Sequence, residues 1–226
     1  MTKRFQISRA LHPAKIRFMT RQNDRSSWHI LSVLLLTLST HLNAESLTLF
    51  KGQGADTDFL EMPSDIINRR SIMDPTFFWG INYSQKIQVE NKTRFNQLLK
   101  PEWETQITKH SGLQNNYEAH IALLLRTRNF QPASFNVNFA AGIGPSYAFS
   151  TPTYEDGPDG KPNNGKPSSG QYRFQSYMVY EIELSLQSLP DWKIPIRIHH
   201  RSGIYGIVAP PKVGSNFFAI GLRHNF

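Results

Sequence analysis

The sequence predicts an all-β fold: an eight-stranded antiparallel up-and-down transmembrane β-barrel over residues 45–226. Three observations predict it. Apolar and polar residues alternate with period two in eight segments, which is the main signal of a β-strand. One face of these segments is apolar and the other carries charged and amide side chains, as in a barrel that faces lipid. The long, turn-rich connections are the first and the fifth, so both lie at one end of an up-and-down barrel.

The segment before the barrel predicts export. A basic stretch ends at Arg25, an apolar run covers 30–38, and the small residue Ala44 stands at the expected cleavage edge. Residues 1–44 therefore read as a secretory signal peptide cleaved near Ala44, with Met19 as an alternative start. The apolar run is shorter than the ~20 residues that a membrane-spanning helix needs, so a membrane anchor is the weaker alternative.

Composition excludes several classes of protein. The chain has no cysteine, which rules out a disulfide scaffold, an iron–sulfur site and thiol catalysis. The net charge is +8, but residues 1–44 hold seven Lys and Arg and one acid, and the rest has 18 basic against 16 acidic side chains. No basic domain remains, so no nucleic-acid partner is expected.

The strands follow in order along the chain. The first, 46–51, is short. In the second, Phe77, Trp79, Ile81 and Tyr83 alternate with Gly80, Asn82 and Ser84. The same alternation continues through 102–108, 117–126, 135–143, 174–184, 192–199 and 218–226.

The polar face contains side chains that can pair with one another. A closed barrel in lipid places them inside, and closure leaves no unsatisfied backbone edge. Eight strands leave an interior that side chains fill, so we expect a salt-bridged plug and no pore. Glu181 or Glu183 is the expected partner of the inward His199 and Arg201. The full interior set is Glu102, Glu104, Glu118, Glu181, Glu183, His120, Arg126, Arg197 and Arg201.

Loop lengths and the chain end indicate the bacterial outer membrane. The connections 53–74 and 149–170 are long, as the external loops of such barrels are, although 91–100 is longer than this pattern requires. The last strand ends on Phe226, which resembles the signal read by the outer-membrane assembly machinery. That machinery is therefore an expected partner.

The seventh strand carries the candidate chemistry. The alternation that places its apolar residues outward continues to His200 and Ser202, whose Cα atoms are about 7 Å apart on the outward face. Polar groups there are costly unless they are paired or used. An imidazole beside a hydroxyl is the minimal activated nucleophile. With both chain ends in the periplasm, the pair lies at the depth of the outer leaflet, where lipopolysaccharide is the available acyl ester.

At this strand the chain resembles the lipid A 3-O-deacylases, outer-membrane barrels also described as acyloxyacyl hydrolase-like. That family has a His-x-Ser-Asn-Ala-Gly motif, matched here by His200, Arg201 and Ser202, with Gly203 directly after. The wider likeness includes 102–104, 142–147, 199–206 and 221–226. The resemblance implies an outer-membrane carboxylic ester hydrolase of the lipid A deacylase type, acting on outer-leaflet lipopolysaccharide.

The chain departs from the family's pattern at two points. Asn-Ala-Gly does not follow the serine, and no acid follows Asp191, so the carboxylate that orients the histidine is missing. Asn216 is the expected substitute, because an amide can also orient an imidazole. Pairing of 205 with 213 would set Ser202 opposite Asn216 and His200 opposite Phe218. The oxyanion donor and substrate contact is either Arg201 or the backbone near Gly203.

Two other functions stay open at this point. One is a non-catalytic outer-membrane barrel with a structural or interaction role, in which His200 and Ser202 are interfacial polar residues. The other is a soluble lipocalin-like carrier, which the polar interior argues against. No cofactor or metal is expected, because no carboxylate cluster points outward and His199 and His200 face opposite sides of the strand.

Overall fold

The computed structural model describes residues 45–89, 93, 97–155, 172–210 and 213–226. The predicted signal peptide, residues 1–44, lies outside the described residues, as does the larger part of the predicted 149–170 loop. In the described part of the chain, no helix is long and apolar enough to cross a membrane.

Eight antiparallel strands form one closed barrel in chain order, and the last strand pairs with the first. This confirms the predicted fold class. The strands are β1 (Ser46–Ala55), β2 (Met73–Lys86), β3 (Leu99–Gly112), β4 (Tyr117–Thr127), β5 (Phe135–Ala148), β6 (Phe174–Leu186), β7 (Trp192–Ser202) and β8 (Gly214–Asn225).

The first strand is longer than its apolar alternation predicts. It continues beyond Lys51 through Gly52 and Gly54 to Ala55. Glycine is required at 52 because the Phe78 ring occupies the adjacent interior space, where an added Cβ would lie 2.2 Å from its Cε1 atom. Gly52 therefore makes room for the interior Phe78 ring, and Gly54 leaves space for the Thr76 methyl group.

The outer surface of the barrel is apolar. Side chains such as Leu49, Ile81, Ile107 and Ile121 are more than half exposed, and their neighbours in the strands are buried. In water such a surface would be unstable, whereas in a bilayer it contacts the acyl chains. The barrel is therefore a transmembrane one.

A short helix, α1 (Met62–Ile67), interrupts the connection between β1 and β2. Pro63 stands in its first turn, where the missing N–H costs no hydrogen bond. The sequence patterns did not predict this helix, because six residues are too few to show helical periodicity. Its first residue, Met62, is fully buried.

The lower interior, away from α1, is the predicted salt-bridged plug. Arg126 donates to both oxygens of Glu102 at 2.7 and 2.9 Å and to Glu181 at 2.8 Å. Arg197 donates to both oxygens of Glu104 at 2.9 Å and also pairs with Glu181. All five side chains are buried, and Arg223 at 3.2 Å from Glu181 supplies the third guanidinium for the three carboxylates.

The predicted partner of His199 and Arg201 is wrong. His199 contacts Glu118 across the barrel, at 3.2 Å from Nε2 to Oε1. Arg201 pairs with Glu155 from the connection after β5. The reason is register: Glu181 lies opposite Arg197, and Glu183 lies opposite Pro195, nearer the other end of β7.

The interior is not polar throughout. Near the end of the barrel that carries α1, Phe50, Phe78 and Phe217 pack with Tyr154 and Ala219 in a fully enclosed cluster. The Tyr154 hydroxyl bonds Asp74 at 2.5 Å. This aromatic layer, with the connection after β5, closes that end of the interior.

Candidate functional site

His200 and Ser202 lie on the outer face of β7, near the end of the barrel that carries α1. Their side chains are half-buried, and the alternating residues His199 and Arg201 are buried inside. Both side chains therefore lie on the outer face, as the period-two alternation predicts.

The register across the last hairpin differs from the prediction by two residues. His200 is opposite Asn216, and Ser202 is opposite Gly214. The Gly203 amide bonds the Val213 carbonyl at 3.0 Å, and left-handed conformations at Ile204 (φ 48°) and Tyr205 (φ 51°) take the chain out of the strand. The strand pairing therefore stops before 205, and the shift brings Asn216 directly beside His200.

A short hydrogen bond joins the two side chains. His200 Nδ1 and Asn216 Oδ1 are 2.6 Å apart. The orientation of the amide follows from its other bond, because Asn216 Nδ2 donates to the Thr57 carbonyl at 2.6 Å. A carbonyl only accepts, so Asn216 Oδ1 must face the imidazole and Nδ1 must carry the proton. This tautomer leaves Nε2 of His200 with a free lone pair for a proton.

Ser202 is held differently. Its Oγ accepts the Ile204 amide at 3.1 Å, and the hydrogen bonds of the described residues include none between Ser202 and His200. Residues two apart on a regular strand are about 7 Å apart at Cα, so a side-chain rotation is needed to join them. Catalytic hydrogen bonds often tighten only when substrate binds. A nucleophile and base pair would form here only after this rotation.

The segment around α1 covers this site. The Phe59 ring stacks on the His200 imidazole with centroids 4.3 Å apart, and on the Tyr180 ring at 4.6 Å. Phe59 and Met62 also bury the outward-facing Ile198. The outer side of the cover is mixed, since Leu60 and Ile67 are exposed beside charged residues such as Glu61 and Arg70.

The length of 53–74 predicts an external loop, and this prediction does not include a cover over the barrel wall. A signal was present in its apolar residues, which an external loop in water does not need: Phe59, Leu60, Met62, Ile66 and Ile67. Residues 56–72 form this covering segment.

A polar cleft of about 340 Å³ opens between the covering segment and β8. Its lining includes Asp58, Glu61 and Asp65, together with Ser215 and Asn216. Arg70 also lines it and pairs with Asp65 at 3.4 Å. The cleft is therefore acidic and unsuited to a bare phosphate.

Neither predicted substrate contact is placed for that role. The Arg201 side chain is fully buried inside the barrel, bonded to Ser146 at 3.0 Å and to the Arg173 carbonyl at 2.8 Å. It faces away from His200 and Ser202. The amide of Gly203 is occupied by Val213. The same alternation that sets His200 and Ser202 outward sets Arg201 inward.

One carboxyl outside the strands has a shifted pKa. Glu155 is buried beside Arg201 and Gln175. Burial raises the pKa of Glu155 to about 7, against the opposing effect of Arg201 and with a further increase from Glu118. Its protonation state thus changes within the physiological range.

Comparison with known proteins identifies the fold. No protein-family model and no curated protein matches the chain. The solved structure of the outer membrane enzyme PagL superposes with a TM-score of 0.51 at 12% identity, over 79% of this chain and 99% of that one. Neisserial surface protein A (NspA) gives 0.44 at 9% identity, over 80% and 96%. Ail, the attachment invasion locus protein of Yersinia pestis, gives 0.25 at 10%, over 82% and 100%. At these values the likeness to PagL concerns the barrel fold, and the two weaker matches add nothing to it.

Proposed function

We propose that this protein is an outer-membrane esterase of the lipid A deacylase type, which hydrolyses an acyl ester of lipopolysaccharide. Ser202 is the nucleophile, His200 is the general base and then the acid, and Asn216 orients His200. The observation that carries the proposal is the 2.6 Å bond between His200 and Asn216 on the outward face. Polar side chains on that face are otherwise unfavourable in lipid.

The proposed location is the bacterial outer membrane. A closed barrel with an apolar exterior and the predicted signal peptide both support it. His200 lies at the end of the barrel where the first and fifth connections emerge. With those connections outside the cell, the site is level with the outer leaflet.

The reaction follows from the available groups. Ser202 Oγ attacks the ester carbonyl carbon while its proton passes to His200 Nε2. The imidazolium returns that proton to the departing sugar oxygen, and the acyl group remains on Ser202. A water molecule then gives a proton to Nε2 and its oxygen attacks the acyl carbonyl, which releases the fatty acid and restores the Ser202 hydroxyl.

Asn216 supplies orientation without charge. Its amide oxygen keeps the proton on Nδ1, because Thr57 fixes the opposite end of the amide. A neutral oxygen stabilises imidazolium less than a carboxylate does. We therefore infer a slower reaction than a carboxylate in the same position would support.

Access to the site requires the covering segment to move. Phe59 lies flat on the imidazole, so an acyl chain must displace this ring before its ester reaches His200. The ring is apolar and packs with Met62 and Ile198. An acyl chain is apolar, like the Phe59 ring that it would displace.

Mass spectrometry of lipid A tests the proposal. Outer membranes with the protein should show lipid A lacking one acyl chain, and Ser202→Ala should restore the full mass. Ser176→Ala is the matched control, since Ser176 lies directly opposite Ser202 on β6 and has no assigned role. Loss of activity in both variants, or in neither, would contradict the assignment of Ser202.

A non-catalytic barrel is the second candidate. It is favoured by the covered His200 and by the missing bond between His200 and Ser202 among the described residues. In that case lipid A is unchanged by the protein, and Phe59, His200 and Asn216 serve only to fasten the covering segment to the barrel wall.

A further inference from the structure

A second cluster of ligand-type side chains lies inside the barrel. Glu118 and His120 from β4 and His199 from β7 each offer an atom, and these atoms lie within 4.8 Å of one another. Glu118 and His199 are completely enclosed, and His120 is 2% exposed. His199 is the neighbour of His200 in the chain but faces the opposite side of the strand, so the cluster is separate from the outward site.

The distances suit a single ion. Glu118 Oε1 is 3.2 Å from His199 Nε2 and 3.9 Å from His120 Nδ1. Zinc binds nitrogen and oxygen ligands at about 2.0–2.2 Å, which sets tetrahedral ligands roughly 3.4 Å apart. The third pair, His120 and His199, lies within 4.8 Å, so shifts of up to about 1 Å would bring the three atoms onto one metal.

An unpartnered nitrogen independently points to a ligand. His120 Nδ1 is buried and has no hydrogen-bond partner among the described residues. Its other nitrogen, Nε2, faces Glu104 Oε1 at 3.4 Å. Metal-binding histidines characteristically bond a carboxylate through the nitrogen that does not face the metal. A buried polar atom without a partner is otherwise unfavourable.

The neighbours hold these side chains in place. His110 Nε2 lies 2.9 Å from Glu118 Oε2, the oxygen that faces away from His120. The Tyr177 ring stacks on His120 with centroids 3.6 Å apart. Ser146 donates to Glu118 Oε1 at 2.8 Å, and Arg201 lies 3.8 Å from the same oxygen while its guanidinium pairs with Glu155.

We propose that Glu118, His120 and His199 bind one divalent transition-metal ion of the zinc class inside the barrel. Imidazole and carboxylate ligands together suit Zn²⁺, Co²⁺ and Ni²⁺ rather than Mg²⁺ or Ca²⁺. The ion takes the place of the proton that His199 Nε2 now shares with Glu118, and this proton moves to His199 Nδ1, so that the imidazole binds the ion in its neutral form. It would link β4 to β7 across the interior.

This metal site departs from the sequence-based expectation of no metal. Glu118 and His199 are 81 residues apart in the chain, and no ligand spacing connects them. Strand parity alone places both side chains inside, and closure of the barrel brings them to the same level. The proposal is independent of the esterase function.

The test is metal retention by the full chain refolded in detergent. Because the site is enclosed, Zn²⁺ is present during refolding, and loosely bound metal is then removed by dialysis against a weak chelator. We expect about one zinc per chain by elemental analysis and a higher melting temperature than in metal-free refolded protein. Zinc well below one equivalent together with an unchanged melting temperature overturns the proposal.

Variants identify the ligands. Glu118→Gln, His120→Gln and His199→Gln should each lose the metal, and His110→Gln should retain it, since its ring lies outside the ligand set. Retention by His120→Gln equal to that of the unchanged chain means that the ion is bound elsewhere and contradicts the assignment. If the variants do not refold, the absorption spectrum of Co²⁺ bound to the unchanged chain tests the ligand assignment. Visible bands typical of nitrogen and oxygen ligands in a distorted tetrahedron support the site, and the spectrum of hydrated Co²⁺ refutes it.

Discussion

His200 and Asn216 face each other across β7 and β8, and their side chains are joined on the outer surface of the barrel by a 2.6 Å bond. The bond fixes the imidazole tautomer, because the far end of the amide is held by Thr57. The covering segment therefore reaches the site through two contacts, the Thr57 carbonyl and the Phe59 ring. The covering segment therefore both helps to orient His200 and limits access to it.

Asn216→Asp tests the role of charge beside the base. A carboxylate at this position loses the bond to the Thr57 carbonyl but still accepts from Nδ1 and stabilises the imidazolium that forms during attack, so deacylation should rise about tenfold. Asn216→Ala should lower it, because Nδ1 loses its acceptor. Release of fatty acid from lipid A in detergent measures both rates. Equal rates in the Asp and Ala variants would mean that position 216 does not act through His200.

Phe59→Ala tests the cover. Removing the ring exposes the imidazole face, so His200 in the folded barrel should react faster with diethyl pyrocarbonate, as followed by peptide mass mapping. Phe149→Ala is the control, because Phe149 is exposed in a different connection. An unchanged reactivity of His200 would show that Phe59 does not limit access.

Arg197→Ala tests the interior plug. The substitution removes the guanidinium that pairs with buried Glu104, while Glu181 keeps its contact with Arg126. Breaking such a pair typically costs about 3–5 kcal/mol, so the melting temperature of the refolded barrel should fall clearly. Arg128→Ala, at an exposed position, should leave it nearly unchanged. A similar small effect in both variants would contradict the interior assignment.

The raised pKa of Glu155 predicts that the stability of the barrel depends on pH. Its pKa of about 7 lies above the value near 4.5 expected when the chain is unfolded. Folding therefore favours the protonated form. The contribution of this carboxyl to stability is complete below about pH 4.5, declines as the pH rises to about 7, and is constant above that.

The matched variant for this prediction is Glu155→Gln, which cannot titrate. As the pH rises from 4.5 to 7, the melting temperature of the unchanged chain should fall relative to that of the variant. Thermal unfolding of both proteins over that range measures it. A constant difference would show that the Glu155 carboxyl has an ordinary pKa.

Protease treatment of intact cells tests orientation. The 149–170 connection is long and rich in Gly and Pro, and its residues 156–170 lie outside the described part of the chain. An external protease should cut there, since such connections are the usual external loops. Cleavage only after the outer membrane is opened would reverse the proposed orientation.

The strands and the face of each side chain could be predicted from the sequence. Successive side chains of a strand point to opposite sides, so the pattern alone placed Glu104, Glu118 and Arg197 inside and His200 and Ser202 outside. A polar face with mutual partners required closure, because open edges in lipid leave backbone groups unpaired. These are local properties of the chain, repeated eight times.

The partners of those side chains depended on the tertiary structure. Left-handed residues at Ile204 and Tyr205 shortened the last hairpin pairing, and this set His200 rather than Ser202 opposite Asn216. The contact of His199 with Glu118 spans the barrel, and Phe59 reaches His200 from a connection with no regular pattern. Periodicity determines which side of the sheet a side chain faces, but not which distant residue it contacts. These contacts form only when the barrel closes and the covering segment packs against it.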